Sequence, residues 1–209
     1  QAPDIVAASA IAGYITSPDS IPTQSAKREF SQGRVSKASK GAEEALAEKA
    51  LVIKGRAWLI PVDDIDTDMI FHNSYLTITE QSEMGKYAFG NLEGYEDFSS
   101  KARPGDIIFT GKNFGAGSSR QQAVDCFKAL ETGAIVAESF GAIYERNAIN
   151  AAFPILCGPS AASMGIGPGD EVELNFETGE VRIVKSNSIE KLQAFSEVQM
   201  EIYKNNGLF

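Results

Sequence analysis

A chain of 209 residues, 43% hydrophobic and 22% charged, has the composition of a globular protein able to bury a core, and its length suggests one domain with appendages. A formal net charge of −9 argues against nucleic acid or an anionic membrane as partner, and no apolar stretch reaches the ~18 residues of a membrane span. Two cysteines without C-x-x-C spacing, Cys126 and Cys157, and a single histidine, His72, read as buried thiols of a reducing, cytoplasmic compartment and supply no ligand set for zinc or an iron–sulfur cluster.

Residues 1–16 hold the small apolar run Ile5-Val-Ala-Ala-Ser-Ala-Ile-Ala-Gly13, headed by Asp4 with no basic residue before it, unlike a secretory signal. It reads as a short packed helix. Residues 17–50 turn to Ser, Pro, Gln, Lys and Gly, the signature of a linker, and end in a short Ala- and Glu-rich helix from Gly41 to Lys49. The main domain is expected over 51–209. Leu51 to Val62 reads as a strand or strand pair ending in Asp63-Asp64-Ile65-Asp66-Thr67-Asp68. The glycine and closing glutamate of an EF-hand are missing there, so most of these carboxylates are expected to be solvated, with one free to serve a site. Ser74 to Asn91 gives no clean period, and Glu93 to Gly105 is a polar connection.

Ile107-Ile-Phe109, bounded by Gly105 and Gly111, is the pattern of a buried strand. Gly115 and Gly117 then allow a sharp turn and close approach to a ligand. Ser118 or Ser119 is placed as the N-cap of a helix that carries Ala123, Phe127 and Leu130 on one face. Arg120 in its first turn opposes the helix dipole, which points either to an anionic partner from elsewhere or to a merely solvated cation beside a capping Ser-Ser. Ala134–Ala137 reads as a second buried strand, Ile143–Ala152 as a helix and Ile155–Cys157 as a third strand, an alternation that implies parallel pairing. Gly169–Leu174 and Glu180–Val184 alternate with period two around Glu177-Thr-Gly179, an antiparallel hairpin, and Phe195–Tyr203 reads as a closing helix.

The loop from Gly111 to Ser118 lacks the Gly-Lys-Ser/Thr ending of a phosphate loop. A dinucleotide fingerprint is the nearer rival, because Gly115-x-Gly117 follows a strand and Glu138 ends the next one. Its third glycine position is Arg120, too bulky for close helix–strand packing.

Gly111-Lys-Asn-Phe-Gly-Ala-Gly-Ser-Ser-Arg120, preceded by Asp64-Ile-Asp66-Thr-Asp68 and followed by Ser139-Phe140 and Arg146-Asn147-Ala-Ile-Asn150, resembles the small subunit, or swivel domain, of the aconitase superfamily. Within it the chain is most similar to the 3-isopropylmalate dehydratase and homoaconitase small subunits, from Ile53 to Pro159. The resemblance implies a mixed α/β, swivel-type β/β/α barrel-sandwich domain with a central strand–loop–helix and a C-terminal antiparallel hairpin. It implies a hydro-lyase that isomerises a 2-hydroxy acid by dehydration and rehydration, foremost 3-isopropylmalate dehydratase of leucine biosynthesis, with aconitase or homoaconitase as the alternative. An NAD-binding oxidoreductase domain and a non-catalytic carboxylate-binding module are the alternatives of another class. The iron–sulfur cluster is expected on a large partner domain or subunit and no cofactor on this chain; the substrate is expected to be a small di- or tricarboxylic hydroxy acid. Pro3 to Thr16 also resembles the closing segment of that large domain, which makes 1–16 its remnant and 17–50 an interdomain linker.

By the same resemblance Ser118 is the base that removes the Cα proton, Ser119 and Arg120 bind a substrate carboxylate, and Thr67 and Asp68 form the facing Thr-Asp pair, with Asp68 orienting Arg120 or a substrate hydroxyl. A serine is a poor base unless backbone N–H groups, a helix N-terminus and a cation stabilise its alkoxide. Two departures stand out. Gln121 replaces a glutamate common in relatives, and Thr77 follows Tyr75-Leu76 where aconitases and homoaconitases place an arginine. A mostly apolar loop of Tyr75, Leu76, Thr77 and Ile78 suits the aliphatic branch of isopropylmalate better than a third carboxylate.

Overall fold

A computed structural model describes residues 49–208. The expectations for 1–16 and for nearly all of 17–50, a domain remnant, a linker and a short helix, lie outside the described residues. The strands are β1 (Val52–Ile60), β2 (Ile107–Thr110), β3 (Ala134–Ala137), β4 (Ile155–Cys157), β5 (Glu171–Asn175), β6 (Glu180–Ile183) and β7 (Ser188–Lys191). The helices are α1 (Thr67–Ile70), α2 (Gln81–Met84), α3 (Phe98–Lys101), α4 (Gln122–Ala129), α5 (Ala142–Asn150) and α6 (Glu197–Lys204).

The seven strands of the described residues join one sheet in the order β4-β3-β2-β1-β5-β6-β7. The stretch from Leu51 to Val62 is one strand rather than a pair, and it is shared. Ala57–Ile60 pair in parallel with β2, while Val52–Arg56 pair antiparallel with β5. β2–β3 and β3–β4 are parallel, as the strand–helix alternation predicts, with α4 and α5 as the crossovers. Beyond β5 the sheet is an antiparallel meander, and β7 adds a third strand to the expected hairpin.

Because side chains alternate across a strand, the sheet divides two cores. Ile108, Ile135, Ala137 and Ile155 face a core shared with α4, α5 and the segment between β1 and β2, where Phe71, Phe89, Phe98, Phe114 and Phe127 are buried. Ile107, Phe109, Ala134, Val136 and Leu156 face the second, closed by β5, β6 and Tyr203 of α6. Both faces of β2 and β3 are thus covered, which is why they read as continuous apolar runs. The far edge of β4 is not left open. The Gln193 N–H donates to the Cys157 carbonyl at 2.7 Å and Gln199 Nε2 to that of Ile155 at 3.1 Å. The sheet therefore curls back on itself as a half-barrel.

At the amino end of β2, buried Asp106 accepts from Arg56 Nε (3.1 Å) and Nη2 (2.7 Å), Trp58 Nε1 (2.6 Å) and the Arg103 N–H (2.9 Å). A buried carboxylate is tolerated when donors surround it in this way, and here it locks β1 to the entry of β2.

Candidate active site

The loops after β1 and β2 meet at the carboxyl end of the parallel strands. The four carboxylates of the acidic loop are not merely solvated. Asp63 Oδ1 accepts from the Lys112 N–H at 2.7 Å, Asp64 Oδ1 from Asn113 Nδ2 at 2.7 Å, and Asp66 caps α1 through the N–H groups of Asp68 and Met69, both at 2.8 Å. Asp68 takes Arg120. The cluster is a seam between two loops: the partners of Asp63, Asp64 and Asp68 lie about fifty residues away in sequence, beyond the reach of a local charge-run argument.

Across that seam the glycine loop is held backbone to backbone. The Gly115 and Ala116 N–H groups donate to Ile65 O (2.7 and 3.2 Å), the Thr67 N–H to Ala116 O (3.0 Å), and Thr67 Oγ1 to Ser118 O (3.1 Å). Gly115 (φ 77°) and Gly117 (φ 89°) occupy the left-handed region. A Cβ at Gly115 would overlap the ring base of Tyr144, whereas at Gly117 its nearest neighbour would be Thr67 Oγ1 at 3.8 Å. The first glycine is required by conformation and by contact, the second by conformation alone.

The serines do not start the helix. α4 begins at Gln122, its N-cap is Gln121, and no side chain caps it. Left-handed Gly117 directs Ser118, Ser119 and Arg120 into an open segment ahead of the helix, so Arg120 is not in the first turn. The N–H groups of Gly117, Ser118, Ser119, Arg120 and Gln121 donate to no acceptor among the described residues. Ser118 and Ser119 are exposed, and Asn147 Nδ2 of α5 lies 3.4 Å from Ser119 Oγ.

Arg120 is not a solvated cation. Its Nη1 donates to Asp68 Oδ1 at 2.6 Å and to Phe71 O at 3.1 Å, and its Nη2 to Asp68 Oδ2 at 3.0 Å. A guanidinium has five N–H bonds, and these contacts use three. The Nε–H and the second Nη2–H remain, which is the lateral fork that grips a carboxylate bidentately. The hydrogen bond from Arg120 holds the Asp68 carboxyl below the usual carboxylate range, a contact from the Asn73 N–H acts in the same sense, and Asp68 in turn pushes the guanidinium up.

Thr67, Asp68, Gly115, Gly117, Ser118, Ser119 and Arg120 thus form one constellation. Thr77 stands apart. It is exposed beyond a one-turn 3₁₀ helix (Asn73–Tyr75), and it makes no hydrogen bond to the others among the described residues. The link runs through Phe71, whose carbonyl receives Arg120 and whose ring meets that of Tyr75, itself stacked on Tyr87 at 4.1 Å. No group of three or more His, Cys, Asp or Glu among the described residues is placed to hold a metal ion. No helix among them is long and apolar enough to cross a membrane.

Residues 63–156 match the family described as Aconitase C-terminal domain. The isopropylmalate/citramalate isomerase small subunit of Methanocaldococcus jannaschii is 39% identical over 158 residues, 75% of this chain and 91% of that protein. The chain belongs to the aconitase C-terminal domain family. The methanogen homoaconitase small subunit of Methanothermobacter thermautotrophicus is 37% identical over 158 residues, covering 75% of this chain and 88% of the relative. A crystal structure of 3-isopropylmalate dehydratase from M. jannaschii aligns with a TM-score of 0.69 at 36% identity, over 75% of this chain and 90% of that one. The swivel-type mixed α/β fold expected from the sequence is the fold observed.

In this family member Gln121 Nε2 donates to Asp125 Oδ1 at 3.1 Å. A glutamate at 121 would face Asp125 one turn on and repel it, so the neutral amide fits its setting. Asn147 was visible in the sequence only as part of a motif, with no role attached; its approach to Ser119 spans 28 residues.

Proposed function

We propose that this chain is the swivel part of an aconitase-type hydro-lyase, which interconverts 2-hydroxy acids by dehydration and rehydration together with a large cluster-bearing domain or subunit. The observation that carries the reading is the run of five N–H groups without an acceptor among the described residues, beside a guanidinium whose lateral fork makes no hydrogen bond among them. Oriented donors without acceptors are what a carboxylate-bearing substrate and a developing oxyanion require. Arg120 grips a substrate carboxylate by its free edge while Asp68 keeps the other edge. Ser118, exposed among these donors, acts as the alkoxide they stabilise: it takes the proton from Cα and becomes the neutral hydroxyl as the hydroxyl leaves the neighbouring carbon, and rehydration reverses the transfer.

The residues of this chain do not fit the cluster itself. Cys126 is buried in α4, Cys157 lies in β4, and no third soft ligand joins them among the described residues. The cluster, a Lewis acid for the departing hydroxyl, is assigned to the partner. Two free thiols support a cytoplasmic setting. By the family resemblance Thr77 follows Tyr75-Leu76 where aconitases and homoaconitases place an arginine, and its lack of charge favours an isopropylmalate-type substrate, a class also named for the M. jannaschii relative. Citrate and homocitrate are the alternatives.

In the complete enzyme, Ser118→Ala is expected to lower kcat by about a hundredfold or more with KM nearly unchanged. Arg120→Lys, which has no planar fork, is expected to raise KM about tenfold or more. Equal loss of binding in both variants would reduce Ser118 to a binding residue. Anaerobic reconstitution of this chain alone with iron and sulfide should give neither a stoichiometric cluster nor turnover; obtaining both would refute the divided site.

A further inference from the structure

We infer that Asn147 is a positioning residue that sets the direction of the Ser119 hydroxyl, so that its proton is presented to the substrate carboxylate; this rests on the function proposed above. The argument begins with how firmly α5 is seated. The Gly141 N–H at its N-cap donates to Phe114 O at 2.8 Å, and Gly141 is packed so closely on Gly115 that a Cβ there would lie 2.7 Å from Gly115 O. Tyr144 is fully buried, its ring sits under Gly115 and edge-on to Phe114 (5.1 Å), and its hydroxyl donates to Ala123 O at 3.4 Å. One helical step of three residues beyond Tyr144, Asn147 emerges on the same face. It is half-buried, and its Nδ2 reaches Ser119 Oγ at 3.4 Å.

A serine hydroxyl has one proton and two lone pairs. With the Asn147 amide donating to one lone pair, the proton is excluded from the Asn147 side and is left the directions away from α5. A hydroxyl free to rotate would spend part of its time with a lone pair toward the anion, which repels it. Asn147 narrows the set of hydroxyl orientations, and so raises the share that presents the proton, without touching substrate.

The test is a double-mutant cycle in the complete enzyme, assayed with isopropylmalate, citrate and homocitrate. Asn147→Ala should raise KM about three- to tenfold, the worth of one ordinary hydrogen bond, with kcat within about twofold. Ser119→Ala should do at least as much, and the double variant should be no worse than Ser119→Ala. Asn147→Asp, which keeps the shape, should raise KM more than Asn147→Ala, because its carboxylate would capture the Ser119 proton and repel the substrate. Urea midpoints of all variants should match the parent. Multiplying KM effects in the double variant, or an aspartate variant no worse than the alanine one, would overturn the role of Asn147 and leave the hydro-lyase intact. A parent enzyme that turns over none of the three acids would overturn the hydro-lyase reading itself.

Discussion

Gly115 and Gly117 sit two residues apart in one loop, both left-handed, yet alanine should affect them differently. A Cβ in the left-handed region costs about 1–2 kcal/mol at either position. At Gly117 the nearest atom to that Cβ is 3.8 Å away, so strain is the whole cost. At Gly115 the added methyl would overlap Tyr144, which is buried between Phe114 and Phe140 and cannot withdraw, adding about 1–3 kcal/mol of overpacking. Gly115→Ala should therefore cost about 2–5 kcal/mol against about 1–2 for Gly117→Ala. For a chain of this size that is a drop in Tm of about 4–20 °C against about 2–8 °C. Scanning calorimetry and urea titration of the full chain, with activity of the complete enzyme read in parallel, separate the two. Gly117→Ala should keep its fold and still lose most turnover, because relief of the strain draws φ away from the value that places Ser118. Equal loss of stability in the two variants, or full activity in Gly117→Ala, would refute the reasoning.

Thr77→Arg should raise kcat/KM for citrate or homocitrate relative to isopropylmalate by about ten- to a hundredfold, the worth of a charge-assisted contact; a ratio that does not move, or a parent enzyme that already prefers a tricarboxylate, would sink the assignment. Asp106→Ala strips the acceptor from Arg56, Trp58 and the Arg103 N–H and should destabilise the chain by about 3 kcal/mol in urea titration. A loss below about 1 kcal/mol would show that water replaces the carboxylate. Burial pushes both thiols up, with the Asp125 charge adding to it at Cys126 and Glu145 at Cys157. Since the thiolate is the reactive form, iodoacetamide at pH 8 should label half-buried Cys157 slowly and Cys126 only in urea; fast native labelling of Cys126 would contradict its burial.

The parts of the fold legible in the sequence were those in which local pattern and tertiary environment agree. β2, β3 and β4 are apolar on both faces, so their composition already states their burial. β7 carries no strand pattern in the sequence, because Ser188-Ile-Glu-Lys191 is an edge strand with one apolar residue, itself exposed, and its pairing with β6 comes from register rather than hydrophobicity. The helix start departs from its sequence pattern for a related reason. Ser118-Ser119 has the chemistry of an N-cap, but the hydroxyls are not used for capping, because left-handed Gly117 turns the backbone away before the helix forms. At the site, the residue types were readable while their pairings were not. Asp68 with Arg120, and Asn147 with Ser119, are contacts between segments far apart in the chain, and only the sheet brings them together.

The dual partnership of β1 also governs how the chain can be made. Ile60 finds Thr110 across the parallel seam, but Val52 must wait for Asn175. A nascent chain leaving the ribosome would carry a strand with half of one edge unsatisfied through most of its synthesis. Such distant pairings slow folding toward milliseconds or longer, and an exposed strand edge in the interval invites association. Ribosome-stalled chains ended before β5 should accordingly engage holdase chaperones, and chains extended past it should release them.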